Sequence, residues 1–213
     1  MSAVFFNPQL YVQKNDKFTT GIIYMPIVLA YLISHFKKNN IETKVLDLYG
    51  MDPKRYQENI NSLIFGYDIS EVDQNVLKNA SCFFVYANQV ANHLSVVNIV
   101  NFLKKNFTST PIVVLENSQA VTAYSLVKIK NELLDIGCDY IIIGDLEKPA
   151  LKLYNNLNEA DLIKNINGVI SKEFINDKID FVEDLDSLNF PSWEDFPLKN
   201  YWELGYSHGP LSN

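Results

Sequence analysis

The side chains with the most chemistry to offer are amides that follow short apolar runs. Asn7 follows "AVFF"; Asn88, Gln89 and Asn92 follow "SCFFVYA"; Asn117, Ser118 and Gln119 follow "PIVVLE". An amide both donates and accepts hydrogen bonds. A rim of amides therefore suits a large ligand decorated with neutral amides better than a polyphosphate. Asn and Ser are also common turn residues, and in a chain this rich in Asn that reading stands beside the first. Glu116, Asp145 and Glu147 fall in the same set of loops. They offer acid–base chemistry or, more simply, solvated and helix-N-terminal charge. His35 sits inside an apolar helical run, His93 near the start of another, and His208 in the tail. His93 is a candidate metal or substrate ligand, but no Ser-His-Asp or Cys-His arrangement can be drawn. Cys82 and Cys138 lie in apolar contexts and read as buried thiols. No CxxC marks a zinc or dithiol site.

Several familiar sites are missing from the sequence. No GxGxxG follows the first apolar run, and no GxxxxGK[ST] occurs, which argues against dinucleotide and phosphate-cradling loops. A phospho-acceptor domain would need acidic residues at the ends of its first and third strands, where this chain has Asn7 and Tyr86-Ala87-Asn88. "NPQLYVQ" is not the Ser/Thr-rich loop that holds a flavin phosphate. The net charge of −7 and a single arginine, Arg55, argue against binding a nucleic-acid backbone. The start "MSAVFFNPQL" lacks a charged n-region. No apolar run approaches the ~20 residues of a membrane helix. A cytoplasmic location is the default expectation.

The elements that would carry these residues alternate in type. Strands are expected at "AVFF", "TKVLDLY", "SCFFVYA", "PIVVLE" and "CDYIIIG". Helices are expected at "IIYMPIVLAYLISHFKKNN", "HLSVVNIVNFLKKNF", "AYSLVKIKNELLDIG" (closed by Gly137) and "EKPALKLYNNL". A weaker helix is expected from Asp52-Pro53, and another over "SEVDQNVLKNA", with Ser70 as N-cap and Asp73 at the capping-box position. Strands alternating with helices imply a parallel sheet covered on both faces. The continuously apolar "CFFVY", "IVVL" and "YIII" are what buried parallel strands require. The expected fold is α/β: a three-layer, doubly wound, five-stranded parallel sheet of Rossmann-like or flavodoxin-like type. Ligands of such folds bind outside the carboxyl ends of the strands. The first loop there, Asn7–Gly21, is unusually long. Residues 168–182 read as a small hairpin turning at Asn176-Asp177. An aromatic, Pro-punctuated ribbon follows, "DLDSLNFPSWEDFPLKNYW".

Three segments together resemble one family. "NPQ…YMPIVLAYLISHFKKNNIETKVLDLYG" is similar to the opening of cobalamin-binding radical SAM enzymes, in which a strand ends in Asn-Pro before a loop and a Pro-containing helix start. "IGCDYIIIGDLEKPALKLYNNL" is similar to their "GxDxVxxGEGExxxxEL" segment, with Gly144-Asp145-Leu146-Glu147 standing for Gly-Glu-Gly-Glu. The ribbon resembles the "LDxLPFPxxxxFP" linker between their cobalamin domain and radical SAM barrel. The resemblance spans residues 4 to about 202. Two loops depart from the family: Glu116–Gln119 replaces the frequent Gly-Gly-Pro-His, and Asn88-Gln89 replaces a Ser/Thr-rich turn.

The resemblance implies a cobalamin-binding domain over residues 1–167, the hairpin at 168–182, and a linker over 183–213 leading to a radical SAM domain. That domain would bring an iron–sulfur cluster in Cys-x3-Cys-x2-Cys spacing and S-adenosylmethionine, so the gene is expected to continue past Asn213. This portion alone would not catalyse. The parent would perform methyl transfer or a radical rearrangement. Cofactor contacts implied are Asn7, Pro8, Gln9, Phe18, Gly21, Tyr24, Asn88, Gln89, Asn92, Glu116, Asn117, Ser118, Gln119, Gly144, Asp145 and Glu147, with the nucleotide tail between the first and third strands. Many cobalamin domains carry Asp-x-His-x-x-Gly, whose His ligates cobalt; Asp16–Gly21 has Phe18 at that position, and no residue here is expected to ligate the metal. Phe190, Trp193, Phe196 and Trp202 would pack on the following domain. The alternative is a stand-alone flavodoxin-like binding or interaction domain without cobalamin.

Overall fold

The computed structural model describes residues 2–15, 25–117 and 124–204. Its central sheet uses β1 (Ser2–Asn7), β3 (Thr43–Asp47), β6 (Ala80–Ala87), β7 (Ile112–Glu116), β8 (Tyr140–Ile142) and β9 (Val169–Ile170). The order is β3-β1-β6-β7-β8-β9. The first five strands run parallel in the expected flavodoxin-like order, and β9 adds an antiparallel edge. A second, three-stranded antiparallel sheet is built from β2 (Leu10–Gln13), β5 (Ser62–Phe65) and β4 (Tyr56–Glu58).

Alternate residues of each central strand face opposite layers, because the strand period is two. On one face Val4, Phe6, Phe83 and Val85 pack with Ile99 and Leu103 of α2 (His93–Asn106) and Leu133 of α3 (Leu126–Asp135). On the other, Phe5, Phe84 and Tyr86 pack with Leu29, Leu32 and Phe36 of α1 (Ile27–Lys38) and Leu153 of α4 (Glu147–Asn155). Register makes Phe5 and Phe84 neighbours, with ring centroids 4.9 Å apart, and Phe36 meets both edge-on. A short α5 (Ala160–Ile163) precedes β9.

Three local expectations are corrected. The stretch after Asp52-Pro53 is not helical but supplies β4 and β5, which pair with part of the long first loop, now β2. The expected helix over 70–80 is two short 3₁₀ turns, Ile69–Glu71 and Gln74–Val76. Asp68 accepts from the Ser70 N–H, and Asp73 from the Asn75 N–H. Each Asp gives the backbone a local alternative to helix, and Val72 between them is extended. The capping box belongs to Asp68 and Glu71. The tight turn after β9 lies at Ser171–Phe174 instead of Asn176-Asp177, because the Ser171 hydroxyl accepts from the N–H groups of Glu173 and Phe174.

The small sheet hinges on Gly66, whose φ of +99° belongs to the left-handed region. A Cβ there would lie 2.3 Å from the Leu48 carbonyl oxygen. Gly66→Ala is expected to cost about 2 kcal/mol of stability, measured as a lowered urea midpoint. An unchanged midpoint would show that the turn relaxes freely.

The ribbon docks on its own domain. The Ser192 N–H donates to the Ala30 carbonyl of α1, and Lys37 pairs with Asp195 at 2.5 Å. Trp193 and Phe196 join the α1 layer, so the expectation that they await another domain is corrected. Its last turn is α6 (Leu198–Trp202), held by Asn200 donating to the carbonyls of Gly50 and Met51. Phe190 alone among the four aromatics stands almost free, at 92% exposure, with Trp202 at 38%.

Candidate functional site

Two neighbouring regions of the carboxyl edge receive the described candidate residues. Glu116 stands apart from both, because its carboxylate accepts from the Leu126 N–H and so caps α3. Burial raises its pKa above the usual carboxylate range, against that hydrogen bond.

The first region is the amide cluster. Asn7, Gln9, Asn88, Gln89, Asn92 and Asn117 are all buried. Several of their hydrogen bonds are made to one another and to backbone. Asn92 donates to the Gln9 carbonyl (2.5 Å), and Asn117 donates to the carbonyl (2.8 Å) and side-chain oxygen (3.0 Å) of Asn88. Gln9 receives its orientation from the Ser95 hydroxyl, which accepts its N–H, and from the Gly66 carbonyl, which accepts its amide. The space left among Asn7, Pro8, Tyr49, Asn88 and Asn92 is about 10 Å³, room for one water at most. The side-chain oxygen of Asn92 has no partner among the described residues and faces no bulk solvent. Among the described residues, these side chains leave little space between the first and third strands of the parallel sheet, where a nucleotide tail was expected.

Asn7 belongs to a further group that sequence reading missed. Its amide donates to Asp47 (2.7 Å) and to the hydroxyl of Tyr201 (3.3 Å); Tyr201 in turn donates to the other Asp47 oxygen (2.8 Å). The Gly50 N–H donates to Asp47 as well. Burial raises the Asp47 pKa and the three donors oppose it. Burial and the Asp47 charge together push the Tyr201 pKa well above its ordinary value. The available signal was a carboxylate ending the apolar strand "TKVLD" at the ligand edge.

The second region is a cleft of about 620 Å³. Its walls are the first turns of α1 and α4 and the segment from Val182 to Phe190. Ile27, Val28 and Tyr31 come from α1, Gly144, Asp145 and Glu147 from the turn after β8, and Leu185, Asp186 and Asn189 from the ribbon. Gly144 has φ +81°, and a Cβ there would meet the Ile179 side chain at 2.5 Å. Asp145 accepts from the Val182 N–H at 2.8 Å, which ties the ribbon to the rim. Glu147 is only 7% exposed. Burial raises its pKa, with the Asp145 charge adding to the rise. The α1 residues were not among the sequence candidates; the apolar start of that helix gave only a core signal.

The remaining candidates separate from both regions. Both ring nitrogens of His93 are engaged, with Glu132 at 3.0 Å and the Tyr124 hydroxyl at 3.4 Å. His35 lies in the last turn of α1, its pKa lowered by burial. Cys82 and Cys138 are buried free thiols, and burial pushes that of Cys138 up to about 12. Phe18, Gly21, Tyr24, Ser118, Gln119 and His208 lie outside the described residues. Among the described residues no cluster of His, Cys, Asp or Glu is placed to hold a metal ion, and no helix is long and apolar enough to cross a membrane.

No protein-family model matches the chain, and no curated protein does. One solved structure similar in fold is the radical S-adenosylmethionine methyltransferase TsrM from Kitasatospora setae, bound to its tryptophan substrate and the SAM analogue aza-SAM. It matches 79% of this chain with a TM-score of 0.50 at 14% identity. This chain covers 28% of the TsrM chain. At that identity the likeness is one of fold.

Proposed function

We propose that this chain is a cobalamin-binding module serving a radical S-adenosylmethionine domain. The observation that carries the reading is the cleft at the carboxyl edge, where the fold places ligands. Its volume falls within the ~300–1,000 Å³ of small-molecule sites. Three further features support it: the resemblance of the sequence from β1 to the ribbon, the fold shared with TsrM over a minority of that enzyme's length, and a cleft wall formed by the ribbon itself.

The residues present fit a corrin ring better than they fit its nucleotide tail. A corrin is a flat ring with apolar faces and a fringe of carboxamides. Ile27, Val28, Tyr31, Leu185 and Leu188 give the cleft an apolar lining, while Asp145, Glu147 and Asn189 give it a polar edge. The amide cluster lies at the ends of β1 and β6 and leaves little space there among the described residues. Asp145, Glu147 and the backbone around Gly144 would hold the ring, with Asn7, Pro8, Gln9, Asn88, Gln89, Asn92 and Asn117 below its near side. A bound corrinoid would supply cobalt-centred group-transfer or radical chemistry. The chain itself would bind it, orient it and exclude water from one face. The iron–sulfur cluster and S-adenosylmethionine would belong to the partner domain.

The closed amide cluster favours a second reading, a flavodoxin-like binding domain without cobalamin. One experiment separates the two. Protein mixed with hydroxocobalamin and desalted is expected to retain the corrin absorbance bands. Protein that elutes colourless supports the second reading.

A further inference from the structure

We infer that the cleft selects its ligand by charge, admitting a ring fringed with uncharged carboxamides and rejecting one that carries carboxylates in their place. The inference deepens the cobalamin reading and rests on it for the identity of the ring.

The lining residues set the sign. Asp145, Glu147 and Asp186 line the cleft, and no Lys, Arg or His is among the described residues that do. The nearest lysines behind the ribbon are engaged elsewhere: Lys37 with Glu194 and Asp195, and Lys38 with the Ser187 carbonyl. The positive features of the wall among the described residues are the start of α4, whose first turn already holds Glu147, and the start of α1. No side chain among the described residues caps α1, and its first turn holds no acidic residue. The Ile27 N–H donates to the Met25 carbonyl and the Ala30 N–H to the Pro26 carbonyl, while those of Val28 and Leu29 lack intrahelical acceptors. The two helix ends carry about half a positive charge each, against three carboxyl groups in the same space. An anionic ligand therefore meets net repulsion.

A primary carboxamide meets complementary partners on both sides. Its carbonyl can accept from the uncapped first turn of α1, and its NH₂ can donate to Asp145, Glu147 or Asp186. Replacing NH₂ by O⁻ keeps the shape, removes both donors and adds a charge. Glu147 sharpens the discrimination. It is almost fully buried beside Asp145, so an N–H donor stabilises its ionised form and another carboxylate opposes it.

Mild acid hydrolysis converts single ring carboxamides of cobalamin to carboxylates, which gives a probe pair of equal shape. The monocarboxylates are expected to bind at least about tenfold more weakly than cobalamin at neutral pH, since like-charge contacts cost several kcal/mol. The double variant Asp145→Asn, Asp186→Asn should narrow the gap, because each Asn keeps an acceptor oxygen. Equal affinity for amide and acid in the wild type would overturn the inference while leaving the cobalamin reading intact. A second pair needs no corrinoid: anionic 8-anilinonaphthalene-1-sulfonate and its uncharged analogue N-phenyl-1-naphthylamine, read by fluorescence. The anionic dye should bind the double variant more tightly than the wild type, and the neutral dye should not distinguish them. If the dyes obey this rule and cobalamin does not bind, the cobalamin reading falls and the charge rule stands. If the anionic dye binds both proteins alike, the charge rule falls.

Discussion

Truncating Phe196 to alanine will lower the unfolding free energy by about 3–5 kcal/mol. The same change at Phe190 will alter it by no more than about 0.5 kcal/mol. The two residues sit six positions apart in one Pro-punctuated ribbon with no regular period. Phe196 is 6% exposed and packs into the α1 layer, where Trp193 meets it edge-on at 5.9 Å. Its removal leaves a cavity against helix and sheet. Phe190 is 92% exposed on the rim of the cleft and has little packing to lose. Urea denaturation of the two variants decides the matter. Equal effects would mean that the ribbon is not docked in solution.

Replacing Asp47 with alanine will cost about 3–5 kcal/mol, since it leaves the Asn7 amide, the Gly50 N–H and the Tyr201 hydroxyl as buried donors without their acceptor. Asp47→Asn will cost less, because its oxygen still accepts from the Asn7 amide and the Gly50 N–H and only the Tyr201 hydroxyl loses its acceptor. The pH dependence follows from the raised pKa of Asp47. Below its ordinary value of 3.8, folded and unfolded states are both protonated and the residue contributes no pH dependence. Above it the unfolded state ionises first, while the folded state keeps its proton up to the raised pKa. Stability therefore declines with rising pH across that window. Glu116 and Glu147, also raised by burial, act with the same sign. The Asp47→Asn protein should show a flatter decline in thermal midpoint from pH 4 upward. A steeper one would refute the assignment.

The central sheet was legible because its strands are apolar on both faces, and the helices because their apolar residues recur at helical spacing. The β2–β4–β5 sheet was not, since "LYVQ" becomes a strand only when residues 56–65 fold back on it. The helix expected after Ser70 failed because Asp68 and Asp73 each bind the backbone two residues on. The convergence of Asn7, Asn88, Asn92 and Asn117 could be read from the strand ends, but the sequence does not show how far their polar groups satisfy one another. The cleft was half legible: Gly144, Asp145 and Glu147 came from the loop after β8, while Ile27, Val28 and Tyr31 were hidden in a run that looks like ordinary core. The ribbon's aromatics carried no mark that separates Phe196, buried at home, from Phe190.

The hydrogen bond between Asn7 and Tyr201 joins residues 194 positions apart. A ribosome makes the first of them almost at once and the second only near the end of this segment. Until then Asn7 and Asp47 face each other without the hydroxyl that completes their network, and the α1 layer lacks Phe196. The nascent sheet is thus left with a polar seam on one edge and an uncovered apolar layer beside it during translation, and both close in the same late step. Synthesis order makes the carboxyl edge, where a ligand would enter, the last part of the domain to set.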